Sequence, residues 1–153
     1  MNKKGFTLIE LLAVIVVLGV VLILAMPSIL DSINASRNAS YKVLMGNIKT
    51  AAETYYQECE YGDLSNKAKY GNYACTINNN TITTTIGALA STGILKVAAD
   101  ESGNLIVNDP RDTTKNLNSC GMQIIKTVDS NFKVTYQING SDQTGCPTSE
   151  DLQ

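Results

Sequence analysis

Glu10 is the side chain whose chemistry most needs explaining. It closes the run Lys3-Lys4-Gly5-Phe6-Thr7-Leu8-Ile9-Glu10, and residues 11–26 follow it without a single charge. A carboxylate in hydrocarbon costs roughly 2–4 kcal/mol even on lenient insertion scales, and a mere anchor has no use for one. A compensating group is therefore expected, with the residues just before Glu10 as the nearest source. Other chemistry finds little support. The chain has no histidine, which excludes Ser/His and Cys/His relays. No carboxylate pair stands out from a solvated surface as a glycosidase pair would, so no enzyme is expected. Asp100, Asp109 and Asp112 gather around the Asp109-Pro110 turn. They are weak calcium candidates, because their spacing lacks the regular alternation of a calcium loop. Turn and capping roles are the simpler expectation. No cofactor is expected.

The element that must hold Glu10 is a helix. Residues 6–26 are apolar apart from Thr7, Glu10 and Gly19, and at ~1.5 Å per residue they span about 30 Å, the thickness of a hydrocarbon core. Lys3 and Lys4 precede the run with no acid beside them, so the positive-inside rule puts the N-terminus in the cytoplasm and exports the remainder. A cleaved secretory signal is the competing reading. The length of the run, the carboxylate at its start, the continuing helical pattern and the poor cleavage site Ala25-Met26-Pro27 argue against it.

The residues Lys4-Gly5-Phe6-Thr7-Leu8-Ile9-Glu10 resemble the start of the type IV pilins and pseudopilins, and Gly19 and Pro27 stand at the distances where that family's helix carries a glycine and a proline. The resemblance covers only the first ~30 residues. It implies cutting between Gly5 and Phe6 by a prepilin peptidase, methylation of the new Phe6 amine, and assembly through the N-terminal helix on an inner-membrane platform. Leader 1–5, polymerisation helix 6–27, amphipathic half 28–59 and exported head 60–153 are the implied divisions. The Phe6 ammonium would pair with Glu10 of a neighbouring subunit, with Thr7, Gly19 and Pro27 as further assembly positions. A buried pair roughly offsets its own desolvation, whereas a missing partner costs ~3–5 kcal/mol, so the pairing enforces register. The implied product is a homopolymer, alone or with related pilins, first held in the cytoplasmic membrane and then displayed as a surface filament. Motility or adhesion pili, competence pili and type II secretion pseudopili share this start, and a bitopic membrane-anchored binding protein is the remaining alternative. Glu10 mildly favours a shaft or initiating subunit, since the family's terminal cap subunits often lack that acid.

Beyond the membrane run, Pro27 removes a ladder donor, and a kink near residues 23–27 is expected. Ile29, Ile33, Leu44, Ile48, Ala51, Ala52, Tyr55 and Cys59 then recur at helical spacing, with Ser28 and residues 34–40 as places to bend or fray. Residues 62–73 read as a loop. Residues 85–90 read as a short helix capped by Thr85 and stopped by Gly93. Leu105-Ile106-Val107 is a strand candidate ended by Asp109-Pro110. Residues 124–128 and 132–138 form an antiparallel hairpin around Asp129-Ser130-Asn131. The expected fold class is α+β: a long helix packed on a small antiparallel sheet, which also matches pilin architecture.

Cys59, Cys75, Cys120 and Cys146 all fall on the exported side, in no CxxC pair, so two disulfides are expected rather than a zinc site. Three pairings are possible. Cys59–Cys75, closing the loop after the helix, and Cys120–Cys146, tying the tail to the hairpin, are the favoured two. Some pili take up DNA, but without Lys3 and Lys4 ten basic side chains face 14 acidic ones, a net charge of about −4. Those ten bases are scattered, where a DNA reader carries a basic stripe; no direct nucleic-acid binding is expected. Tyr55, Tyr56, Tyr61, Tyr70 and Tyr73 are read as packing residues.

Overall fold

Residues 8–60 hold one uninterrupted helix in the computed structural model, which describes residues 7–141 and 143–153. Gly5 and Phe6, the expected cleavage point, lie outside the described residues. The helix, α1 (Leu8–Glu60), contains Pro27 and continues through the expected kink and through Ser28 and residues 34–40. Proline deletes one i→i−4 bond and leaves the flanking ones in place. The Ser28 hydroxyl donates to the Ala25 carbonyl at 2.9 Å, a bond that fits inside a helix rather than breaking it.

The chain divides into two units, Met1–Arg37 and Asn38–Gln153, and α1 contributes to both. In the first unit Leu8, Leu11, Val14, Val17, Val21 and Leu24 are exposed, and so are the apolar residues between them. The helix is apolar all round and has no covered face. Such a helix is stable in lipid or among other helices, where its backbone groups are satisfied internally.

In the second unit α1 buries one stripe: Tyr41, Met45, Ile48, Ala52, Tyr55, Tyr56 and Cys59, a 3–4 residue spacing that keeps them on one face. Opposite lies a three-stranded antiparallel sheet in the order β1 (Thr81–Thr85), β4 (Gly121–Val128), β5 (Val134–Asn139). Its inward side chains Ile82, Met122, Ile124 and Ile138 are buried with the helix stripe. Tyr56 meets Tyr136 with ring centroids 5.4 Å apart. Between β1 and β4 run α3 (Ile86–Ser91) and a small ribbon of β2 (Asn108–Asp109) and β3 (Asp112–Asn116). The expected loop at 62–73 carries a short helix, α2 (Lys67–Tyr70), followed by a 3₁₀ turn, Gly71–Tyr73.

Thr85 caps α3 as its sequence suggests, its hydroxyl accepting from the Ala88 N–H at 3.2 Å. The strand expected at Leu105-Ile106-Val107 is a correction. There Asn118 stands in for a neighbouring strand: its Oδ1 accepts from the Val107 N–H at 2.8 Å and its Nδ2 donates to the Leu105 carbonyl at 2.7 Å. Leu105 makes one isolated bridge to Ala99, continuous pairing begins at Asn108, and Asp109-Pro110 opens the turn into β3. The β4–β5 hairpin is present, but its second strand starts two residues later than expected. Asp129 accepts from the backbone N–H groups of both Asn131 and Lys133, which draws Phe132 into the turn. Phe132 takes φ +61° and is 88% exposed. Glycine or asparagine usually occupies such a left-handed turn position, and a bulky residue there costs about 1 kcal/mol.

Two disulfides join Cys59 to Cys75 and Cys120 to Cys146. The second holds a tail that crosses Gly140 closely. A Cβ on Gly140 would collide with the backbone of Pro147 and Thr148, so only glycine fits. The tail ends with Leu152 buried against the core and the Lys49 ammonium donating to the Gln153 carbonyl at 2.8 Å.

Candidate assembly site

Thr7 and Glu10 form a closed unit at the head of α1. The Thr7 N–H and hydroxyl both donate to Glu10 Oε2 at 2.8 Å, and the Glu10 N–H approaches Thr7 Oγ1 at 3.4 Å. This is a capping box, in which a Thr and the Glu three residues on satisfy each other's orphan groups at a helix start. The carboxylate thus has two donors within its own chain, although its own charge remains. The sequence carried that signal plainly: Thr-x-x-Glu before an apolar run is the capping-box pattern. Both hydrogen bonds converge on one oxygen, and an ionised carboxylate can accept about four in all. The Thr7–Glu10 unit therefore keeps acceptor capacity for a cation.

Below it the exposed sleeve runs to Gly19, where an added Cβ would meet nothing within 4 Å. Gly19 is thus not required by the packing of this helix on itself. Pro27 lies inside α1.

The other candidate positions belong to the head and serve its architecture. Asp100 accepts from the Ser102 and Asn104 N–H groups, building a turn, and Asp112 accepts from the Thr114 N–H and hydroxyl. Asp109 is 3% exposed and receives three hydrogen bonds from the Arg111 guanidinium, the shortest 2.8 Å. Among the described residues no group of three His, Cys, Asp or Glu side chains is placed to hold a metal ion. Of the tyrosines, Tyr55 and Tyr56 are buried, and the Tyr55 hydroxyl donates to the Tyr73 carbonyl at 3.1 Å. Tyr61 is exposed, beneath a Lys126 ammonium that Glu60 holds at 2.7 Å.

Sequence reasoning passed over the Arg111 cluster. The guanidinium stacks 3.3 Å from the Tyr41 ring centroid while gripping Asp109, and burial together with the negative charge of the tail residue Asp151 raises the Tyr41 hydroxyl above the usual tyrosine range. Helix and ribbon are joined through one cation. The Arg111 hydrogen bonds hold the Asp109 carboxyl below the usual aspartate range. A depressed carboxyl contributes stability at neutral pH and loses it as pH falls through and below that range. Melting curves at pH 7 and pH 3 are expected to drop further for the natural chain than for Asp109→Asn. Equal drops would mean the pair contributes nothing.

Comparison with known proteins places the first 26 residues. Residues 1–26 match the model of the prokaryotic N-terminal methylation motif. The chain is 29% identical over 102 residues to the fimbrial protein EcpC of Eikenella corrodens, covering 66% of this chain and 65% of that protein. It is 28% identical over 116 residues to the type IV major fimbrial protein FimA of Dichelobacter nodosus, covering 72% of this chain and 73% of that one. The chain thus spans just under two thirds of the first relative's length. No solved structure matches it. In its methylation motif the chain is similar to proteins that carry that N-terminal signal, and over most of its length it is similar to fimbrial proteins, with a long helix on a small antiparallel sheet in a pilin-like arrangement.

Proposed function

We propose that the chain is a structural subunit of a type IV pilus-like filament, not an enzyme. The observation that carries this reading is the Thr7–Glu10 unit at the head of a helix exposed and apolar on every side. One such helix is at home in a bilayer, and several are at home against one another. The precursor sits in the cytoplasmic membrane with residues 1–5 as a cytoplasmic leader, residues 6–27 in the bilayer and the head, residues 60–153, exported. A prepilin peptidase cuts between Gly5 and Phe6 and the new amine is methylated. On the assembly platform the Phe6 ammonium of one subunit meets the Glu10 carboxylate of a neighbour. The helices exchange lipid for one another and the subunits become a surface filament.

Intact-mass measurement of chains sheared from the cell surface tests this cheaply. The expected mass is that of a chain starting at Phe6 and carrying one methyl group. Surface chains that still begin at Met1 would sink the proposal.

A further inference from the structure

Asn139-Gly140 is the one Asn-Gly step in the sequence, and it lies where β5 ends beneath the C-terminal tail. An asparagine before glycine can lose its side-chain amide without an enzyme. The glycine nitrogen, unhindered by a side chain, attacks Cγ of the asparagine. Ammonia leaves, a five-membered imide closes, and water opens it to aspartate or isoaspartate. Water is the only co-reactant. A surface cleft of about 610 Å³, lined by Gln123, Asn139, Gly140 and Ser149 among others, brings it to the site.

The fold keeps the reacting atoms apart. Asn139 is in register with Gln123 of β4, so its backbone is extended, whereas ring closure needs the Gly140 nitrogen turned toward Cγ. The Gly140 N–H donates to the Ser149 hydroxyl at 3.2 Å, and Asn139 Oδ1 accepts from the Gln137 amide at 3.2 Å. The backbone of Pro147 and Thr148 fills the space over Gly140 and leaves the pair no room to turn. Two of these restraints come from the tail, which Cys146 fastens to Cys120 one residue before Pro147. A dithiol that reduces this bridge, leaving two cysteine thiols and becoming a disulfide itself, loosens the tail from the sheet.

We propose that Asn139-Gly140 is a latent deamidation site guarded by the tail, and that reduction of Cys120–Cys146 opens it. Reoxidation does not reverse the product. Isoaspartate adds a carbon to the main chain where β5 ends. Either product also places a carboxylate beside Ser149, close to the acids Glu150 and Asp151, and like charges there oppose the tail's return. A brief reducing episode thus becomes a lasting change in the head. The site does not depend on the filament reading.

Peptide mapping of the full chain in detergent, held at mildly alkaline pH, reads conversion at Asn139 as the mass gain from amide to acid. The oxidised chain runs beside chain treated with dithiothreitol and chain unfolded in urea, the unguarded reference. Conversion in the folded, oxidised chain should be at least about tenfold slower than in urea, because it must pass through local opening. Reduction should recover most of that difference. Ser149→Ala, with both bridges intact, covers the case in which reduction unfolds the whole head. It frees the Gly140 N–H without touching the core and should raise the rate severalfold. Oxidised chain converting as fast as the urea sample would overturn the guard. Reduced chain no faster than oxidised would overturn the redox opening, and Ser149→Ala at the natural rate would overturn the tail's part in it.

Discussion

Glu10→Ala is expected to abolish surface filaments while leaving the chain in the membrane. Two effects of different size meet at this residue. Within one chain the change removes half of a capping box, a loss of about 1 kcal/mol. It also removes a charge from hydrocarbon, which favours the membrane-held precursor by roughly 2–4 kcal/mol. Between chains it leaves the Phe6 ammonium of a neighbour unpaired in a low-dielectric bundle, at ~3–5 kcal/mol for each contact. The same penalty recurs at every step of growth, so even its lower end suppresses polymer strongly. Thr7→Ala separates the terms. It cuts the box but keeps the carboxylate, and should lower filament yield only modestly. Immunoblots of sheared and membrane fractions measure both variants. Filaments at natural yield from Glu10→Ala would remove the electrostatic basis of the proposed assembly.

The second large effect is expected in the head. Removing the Cys120–Cys146 bridge with paired serines should lower the melting temperature by about 10–15 °C. The bridge closes a loop with a sequence separation of 26, and the chain-entropy relation assigns such a loop about 3.5 kcal/mol. A domain of this size loses roughly 3–4 °C per kcal/mol. The tail beyond the bridge has little else to hold it. Its anchors are Leu152 in the core, the Lys49–Gln153 bond and the Gly140 N–H donating to the Ser149 hydroxyl. Limited proteolysis should therefore cut the variant near residue 146 well before the core. A melting temperature within a couple of degrees of the natural chain would show that these anchors suffice alone.

Where residue type and local pattern agree, the sequence was legible. The membrane-length run, Thr85 as a cap and the hairpin around Asp129-Ser130-Asn131 needed no tertiary information, and of the three possible cysteine pairings the favoured one is formed. What escaped notice depended on distant partners. β1 holds a single strongly apolar residue, Ile82, among four threonines; it becomes a strand because β4 lies beside it, from Thr81↔Ile125 to Thr85↔Gly121. Leu105-Ile106-Val107 has the composition of a strand, but an asparagine 11 to 13 residues later takes the Val107 N–H and the Leu105 carbonyl, and the Leu117 N–H takes the Val107 carbonyl. Arg111 appeared as one scattered base, since nothing local reveals that a tyrosine seventy positions earlier will lie under its guanidinium. The Thr7–Glu10 box is different. It is fully written in the sequence as Thr7-x-x-Glu10 ahead of an apolar run.

The Cys59–Cys75 bridge has a consequence in mechanical terms. Cys59 lies in the last turn of α1, so tension drawn along that helix enters the head through a covalent link as well as through packing. The loops closed by the two bridges, 16 and 26 residues in sequence separation, are withdrawn from the length the chain can yield. At ~3.5 Å per residue they would otherwise pay out about 55 and 90 Å. Under load the head can give way only in the segments between its bridges, and an oxidised filament should be stiffer at large extension than a reduced one.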